Sequence, residues 1–305
     1  KLINHDTLEN GGQLKYGLDL SHRNWDGAYE GKGSSSMITG IPSIPDVDTD
    51  NRGFFIEYDH QLNSVIDYKL GARFDDTDIE PGQNSLPSNN YSGFSAFVVS
   101  NYQLNPDHKL FAGLGKSARV PDARELYFHS AMGGGMLIGN PDLEQTTNTE
   151  IDFGVESQIG KLALNNRLFF SALDNFIHYN ESKPMRRFDN VDAEIFGLET
   201  NGEYEVSPSF DINFGLALQK GQKKEALNGQ TDKDLAEIPP AKLNAVFNYH
   251  YMGLNTISLE FIAADSWSNF DADNGEQKLD SWNVINLKVK HQFGTSFNVT
   301  FGIDN

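Results

Sequence analysis

The chain has 305 residues, a formal net charge of −19 and a hydrophobic fraction of 38%, with no cysteine. The charge would repel phosphate and excludes nucleic acid as a partner, while the missing cysteines exclude disulfides, thiolate metal sites and a thiol nucleophile. No apolar run approaches the roughly eighteen residues that a membrane helix needs, so a helical membrane protein is excluded as well.

Alternation of apolar and polar residues predicts thirteen strands in chain order, at about 13–22, 52–62, 66–76, 93–103, 109–119, 148–157, 162–177, 192–204, 210–219, 242–251, 256–265, 282–292 and 297–304. The strand at 66–76 shows the logic. Ile66, Tyr68, Leu70, Ala72 and Phe74 fall on one face, and Asp67, Lys69, Gly71, Arg73 and Asp75 on the other. The strands at 210–219 and 242–251 split the same way. The strand at 93–103 does not, because Phe94, Phe97, Val98 and Val99 fit neither face cleanly.

The gaps alternate between short and long. Asn63 to Val65, Gln158 to Lys161, Met252 to Asn255 and Phe293 to Ser296 are short. Arg23–Asn51, Thr77–Ser92, Val120–Thr147, His178–Val191, Lys220–Ala241 and Ser266–Ser281 are long. Tight turns on one rim and long loops on the other are the layout of an antiparallel transmembrane up-and-down β-barrel, which makes the fold class all-β. A barrel also reconciles the modest hydrophobic fraction with a membrane, since only alternate residues face lipid. The 21 Phe and 11 Tyr suit aromatic girdles at two interfaces. Helix-like windows such as Pro121–Ser130 sit inside long gaps. No signal peptide is visible at Lys1, so the chain reads as mature or as starting internally.

Acidic residues gather in two expected outer loops: Asp75, Asp76, Asp78 and Glu80, then Asp271, Asp273, Glu276 and Asp280. Two readings stand, solubility of exposed loops or attraction of cations and cation-bridged lipid head groups.

Five segments carry a family resemblance. Gly113 to Tyr127 contains a Gly-x-x-x-Arg-x-Pro run ending at Pro121, then Glu125-Leu126. Gly139-Asn-Pro-Asp-Leu143 follows, ahead of Glu150-Ile-Asp-Phe-Gly154. Asn190-Val-Asp-Ala-Glu-Ile-Phe-Gly-Leu-Glu199, Ile238-Pro-Pro240 and Phe301-Gly-Ile-Asp-Asn305 complete the series. In this order and spacing they resemble the C-terminal part of a TonB-dependent outer-membrane receptor, closest to its copper-receptor branch. The resemblance covers roughly 109–305, and residues 1–108 are compatible in pattern.

That family has a 22-stranded barrel filled by an N-terminal plug. The resemblance therefore implies that residues 1–305 form one partial barrel, about thirteen strands of an expected 22, with the plug domain not present in this chain. It implies a transporter in the outer membrane of a Gram-negative bacterium, in contact with outer-membrane lipid. The transporter would import a metal or metal chelate, copper or a ferric siderophore, and engage the TonB complex through the absent plug. No permanently bound cofactor is expected; the metal is cargo. A passive porin-like barrel is the alternative, sharing the strand pattern without needing the motif series. An enzyme is not expected: there is no Gly-x-Ser-x-Gly, and Ser130 beside His129 does not make a dyad.

Arg119, Pro121, Arg124 and Glu125 would lie at an outer strand end and its loop. They either set the loop's shape, with Pro121 rigidifying the turn and Arg124 pairing with Asp122 or Glu125, or contact an anionic ferric chelate. His129, Met132 and Met136 are the candidate metal ligands, since imidazole and thioether suit copper, with methionine favouring Cu(I). The other reading is a flexible loop with incidental methionines. Met37 is a further candidate thioether. Lys69, Arg73, Glu150, Asp152, Glu156 and Arg167 are expected to face the lumen, meeting a plug or water.

Overall fold

The computed structural model describes residues 1–130, 137–181 and 186–305. Fifteen strands form one sheet: β1 (Leu2–Thr7), β2 (Gln13–Ala28), β3 (Pro42–Gln61), β4 (Ile66–Pro81), β5 (Asn89–Asn105), β6 (His108–Arg119), β7 (Leu137–Ile138), β8 (Thr146–Ile159), β9 (Leu162–Asn180), β10 (Arg186–Ser207), β11 (Phe210–Lys223), β12 (Lys242–Tyr251), β13 (Asn255–Ala264), β14 (Trp282–Phe293) and β15 (Phe297–Ile303). Fourteen of them pair with their sequence neighbours, antiparallel throughout, from β1 to β15. The two-residue β7 lies off this path and pairs in parallel with β10. β1 and β15 are the two ends, and the sheet is not closed among the described residues.

The expected thirteen strands are all present, and two more join them. β1 shows no alternation, with all six residues exposed. β7 is too short to carry a period. Most strands also run further than their alternation. β3 starts at Pro42 and β10 spans 22 residues, so much of the expected long gaps is paired ribbon. The reason is local. Beyond the apolar band both faces of a strand are polar, so the pattern fades while the backbone ladder continues.

Tight turns join the strands on one rim. In the β3–β4 turn Asn63 Oδ1 accepts from the backbone of Val65 and Ile66, both at 2.9 Å, a side chain standing in for a backbone partner. The β8–β9 and β14–β15 turns need positive φ, supplied by Gly160 (+59°) and Gly294 (+62°).

Outward-facing Phe54, Phe74, Phe94, Leu114, Ile151, Leu168 and Phe196 are all exposed, the signature of a surface that meets lipid. β5 resolves here: Phe94 and Val98 point outward and are exposed, while Phe97 lies on the other face across from Gly71. The inner face is polar. Arg167 reaches Asp152 (2.6 Å), Glu150 (3.0 Å) and Glu199 (3.4 Å). Glu57 takes Lys15 and Lys69 at 3.1 and 3.2 Å. Arg73 pairs with Asp75 and Asp19, and Lys109 with Glu156. The expected lumen charges are thus partnered along the wall itself.

Inner-face glycines lie directly opposite phenylalanines on the next strand: Gly17 and Phe55, Gly71 and Phe97, Gly154 and Phe111, Gly197 and Phe169. Each ring occupies the space a Cβ would need, so rings lie flat on the wall and keep it smooth. At Gly71 an added Cβ would sit 2.5 Å from Phe97 Cε1 and 2.9 Å from its Cζ. Gly71→Val should therefore destabilise the barrel by about 1–3 kcal/mol through overpacking, read as a lower temperature for the mobility shift of folded barrel on gels. Gly113→Ala is the control, because its nearest neighbours are 3.5 and 3.6 Å away, and it should leave that temperature unchanged.

Candidate functional site

The outer mouth is organised by the β6–β8 connection, which folds onto the concave face of the sheet. Its centre is a five-residue helix, α1 (Ala123–Tyr127). Asp122 caps it, its Oδ1 accepting from the backbone of Arg124 and Glu125, both at 2.9 Å. Glu125 Oε2 returns the bond to the Asp122 backbone at 2.8 Å, completing a capping box. Arg119 then grips the same carboxylate with two bonds of 2.9 Å, a bidentate geometry.

Ala123, Leu126 and Tyr127 are buried in one cluster with Ile44 and Val47 of β3, Ile79 of β4, Ile177 of β9 and Leu143 of the same connection. Four strands lie between β3 and β9 along the sheet path, so the helix bridges across a strongly curved wall. Polar bonds fix it there. The Tyr127 hydroxyl lies 2.6 Å from Asn89 Oδ1 and 3.0 Å from the Pro87 carbonyl. Burial, with Tyr91 beside it, pushes that phenol well above its ordinary range. Asn89 donates to the Pro141 carbonyl (2.8 Å), Asn140 to the Phe188 carbonyl (2.9 Å) and Tyr91 to the Leu143 carbonyl (2.7 Å). At Gly139 a Cβ would collide with the Leu126 backbone, so this close approach requires glycine.

The expected ligand-loop residues separate. Arg119 and Glu125 are held against each other and shape the loop. Arg124 is exposed and bonds neither Asp122 nor Glu125 through its side chain; its guanidinium lies 5.7 Å from the centre of the Phe128 ring. Of the expected metal ligands, His129 is exposed, with its backbone N–H bonded to the Ser43 carbonyl (2.9 Å) and its carbonyl to the Tyr29 hydroxyl (3.2 Å). Met132 and Met136 lie outside the described residues. Met37 is exposed on the β2–β3 connection. Among the described residues no three His, Asp or Glu side chains come together in a metal-holding group. Beside α1 opens a cavity of about 430 Å³, whose walls include Ile41, Leu86, Leu126, Phe128, Ile138 and the His129 side.

The Asn190-Val-Asp-Ala segment acts through its side chains on β9. Asn175 adopts positive φ (+54°) at a bulge opposite Asp192. Asp192 Oδ1 accepts from its backbone at 3.0 Å, and Asn190 donates to the carbonyls of Asn175 (2.7 Å) and Glu144 (3.0 Å). Ile238 of Ile238-Pro-Pro240 packs against Gly221 and the Leu173–Ala193–Leu235 cluster. Each motif is therefore explained by what it holds together.

The family model "TonB dependent receptor-like, beta-barrel" matches residues 3–305. The chain belongs to this family. Its fold is shared with the copper transporter OprC, at a TM-score of 0.82 and 19% identity, over 96% of this chain and 47% of that one. The FrpB iron transporter from Neisseria meningitidis superposes at 0.75 and 14% identity over 99% and 49%. A mutant ferric enterobactin receptor from Pseudomonas aeruginosa, in complex with enterobactin, superposes at 0.74 and 16% identity over 100% and 47%. This receptor-family chain thus spans about half the length of these neighbours. No curated protein matches the sequence.

The Glu125 contacts give a direct test. Glu125→Ala removes the Arg119 partner and half of the capping box, a loss of about 1–2 kcal/mol. Amide exchange at Leu126 and Phe128, whose N–H groups close α1, should accelerate about tenfold, since 1.4 kcal/mol is a factor of ten. Glu125→Gln keeps the cap and should accelerate it less.

Proposed function

We propose that this chain supplies part of the wall and the outer mouth of an energised importer in the outer membrane of a Gram-negative bacterium, taking up a metal ion or metal chelate. In this reading a plug, contributed by sequence outside residues 1–305, fills the lumen and engages TonB. Membership of the receptor family over residues 3–305 supports the class, and the neighbouring folds include a copper transporter and an iron transporter. The observation that carries the reading is the β6–β8 connection. It is capped, bolted to three strands and laid across the concave face, which suits a fixed ligand-facing rim better than an unobstructed pore.

Copper is the cargo we propose first, with His129, Met132 and Met136 as ligands at that rim. Imidazole and thioether donors favour Cu(I), and His129 is exposed next to the 137–139 segment with its backbone already fixed. Arg124 is the free guanidinium available to an anionic chelate, whereas Arg119 and Glu125 neutralise each other.

Uptake of radioactive copper and of ferric siderophore by cells making the whole receptor tests the class. Uptake of one of them should fall at least tenfold when TonB is deleted. Uptake indifferent to TonB, together with ohmic conductance in planar bilayers, would make the barrel a passive pore. Met132→Ala with Met136→Ala should raise the copper Kd at least tenfold. An unchanged Kd rejects the thioether site.

A further inference from the structure

Segments far apart in sequence meet at one buried carboxylate above the barrel. Asp271, in the β13–β14 connection, has no solvent exposure. Its Oδ2 accepts from Lys223 Nζ at the end of β11, from His178 Nε2 in β9 (3.1 Å) and from Asn274 Nδ2 (2.6 Å). Lys223 and His178 are 1% and 3% exposed. Asn274 Oδ1 accepts from the Glu181 backbone (2.8 Å) and from Gln230 Nε2 (2.9 Å), which fixes its amide as the donor to Oδ2. His178 Nε2 also lies 3.0 Å from Asn274 Nδ2, so the imidazole sits against both groups.

Around this centre the two long connections, 224–241 and 265–281, are wired to each other. Asp273 Oδ2 accepts from the backbone of Thr231 (2.7 Å) and Asp232 (2.8 Å). Asp232 Oδ2 accepts in return from the Ala272 backbone (2.9 Å). Glu276 bridges with both oxygens, taking the backbone N–H of Asp271 (2.7 Å) and of Glu237 (2.8 Å). In every one of these bonds a backbone N–H donates to a carboxylate, and in all but the Asp271–Glu276 bond the carboxylate belongs to the other connection.

Two features make the assembly releasable. A buried ion pair returns little net stability while it is intact, yet leaves a costly lone charge once one partner goes. The second Asp271 oxygen, Oδ1, is buried and receives no hydrogen bond among the described residues, so the carboxylate is only half satisfied.

We propose that the 224–241 and 265–281 connections form a single outer lid, latched to the tops of β9 and β11 through Asp271, Lys223 and His178, and that the lid opens as one unit when the Lys223–Asp271 pair is broken. Asp271 is the keystone because it ties the 265–281 connection to both β9 and β11. Burial pushes its carboxyl up, and the bonds from His178, Lys223 and Asn274 outweigh burial and hold it below the usual carboxylate range. The latch rests on the loop geometry and stands whatever the cargo proves to be.

Hydrogen exchange on the whole receptor, read by mass spectrometry, tests it. In the native protein the amides of Thr231, Asp232 and Glu237 should share one protection factor with those of Asp271 and Ala272. Factors differing more than tenfold between the two connections overturn the single lid. Asp271→Asn and Lys223→Met should each speed exchange in both connections at least tenfold while β9 to β14 stay protected. Loosening confined to 265–281, or none, overturns the latch. The native comparison decides the matter even if a variant fails to fold.

Discussion

Everything in this chain follows from the rule that a backbone in lipid has no water to turn to. Each N–H and C=O in the apolar band must be paired within the sheet, which is why fourteen strands run as an uninterrupted antiparallel ladder. The ladder fixes the side chains. With a period of two, one face is committed to lipid and the other to the lumen over the whole crossing. The glycine–phenylalanine pairs are a consequence on the lumen side. A curved wall crowds its concave face, and glycine under a flat ring relieves the crowding without exposing backbone.

Above the band the constraint changes. Water returns, strands no longer have to present an apolar side, and side chains take over the work of fixing the chain. Carboxylates and amides dominate there: Asp122 and Glu125 around α1, Asn89 and Asn140 along its flanks, Asp273 and Glu276 in the lid. Several of the acidic residues behind the net charge of −19 therefore serve as acceptors for backbone N–H groups. The acidic loop at 271–280 is a case in point. Asp271, Asp273 and Glu276 are engaged there with N–H and ammonium donors.

What could be read in the sequence was what has a short period. Alternation located every strand that crosses the band, and β12 matches at both ends. It failed at β1, exposed on all six residues, and at the strand extensions, where Asp48 and Asp50 of β3 face Glu80 and Asp78 of β4 and no apolar face remains to count. The helix was visible as a window at 121–130, and Asp122-x-x-Glu125 is a readable capping box. Its partner was not: nothing local says that Glu125 chooses Arg119 over Arg124. Long-range polar bonds were beyond reach altogether. His178 and Asp271 are 93 residues apart, and only the assembled barrel brings them together.

β9 shows how the two halves of the mouth are built against each other. Consecutive residues on a strand point to opposite faces, so burying both requires protein on both sides. Ile177 is buried in the α1 cluster, while the next residue, His178, is buried against Asp271. Phe176, on the His178 face, joins the Leu173–Leu235 cluster instead. The change begins at the Asn175 bulge, where Asn190 and Asp192 hold the strand in its positive-φ turn. Below the bulge β9 is ordinary barrel wall with lipid on one side. Above it the upper part of β9 becomes a partition between the α1 platform and the lid. A displacement on either side must then be absorbed by the other, because a close-packed partition has no slack to take it up. The motif Asn190-Val-Asp-Ala is thus the hinge point of the outer mouth's architecture, although none of its side chains need ever touch a ligand.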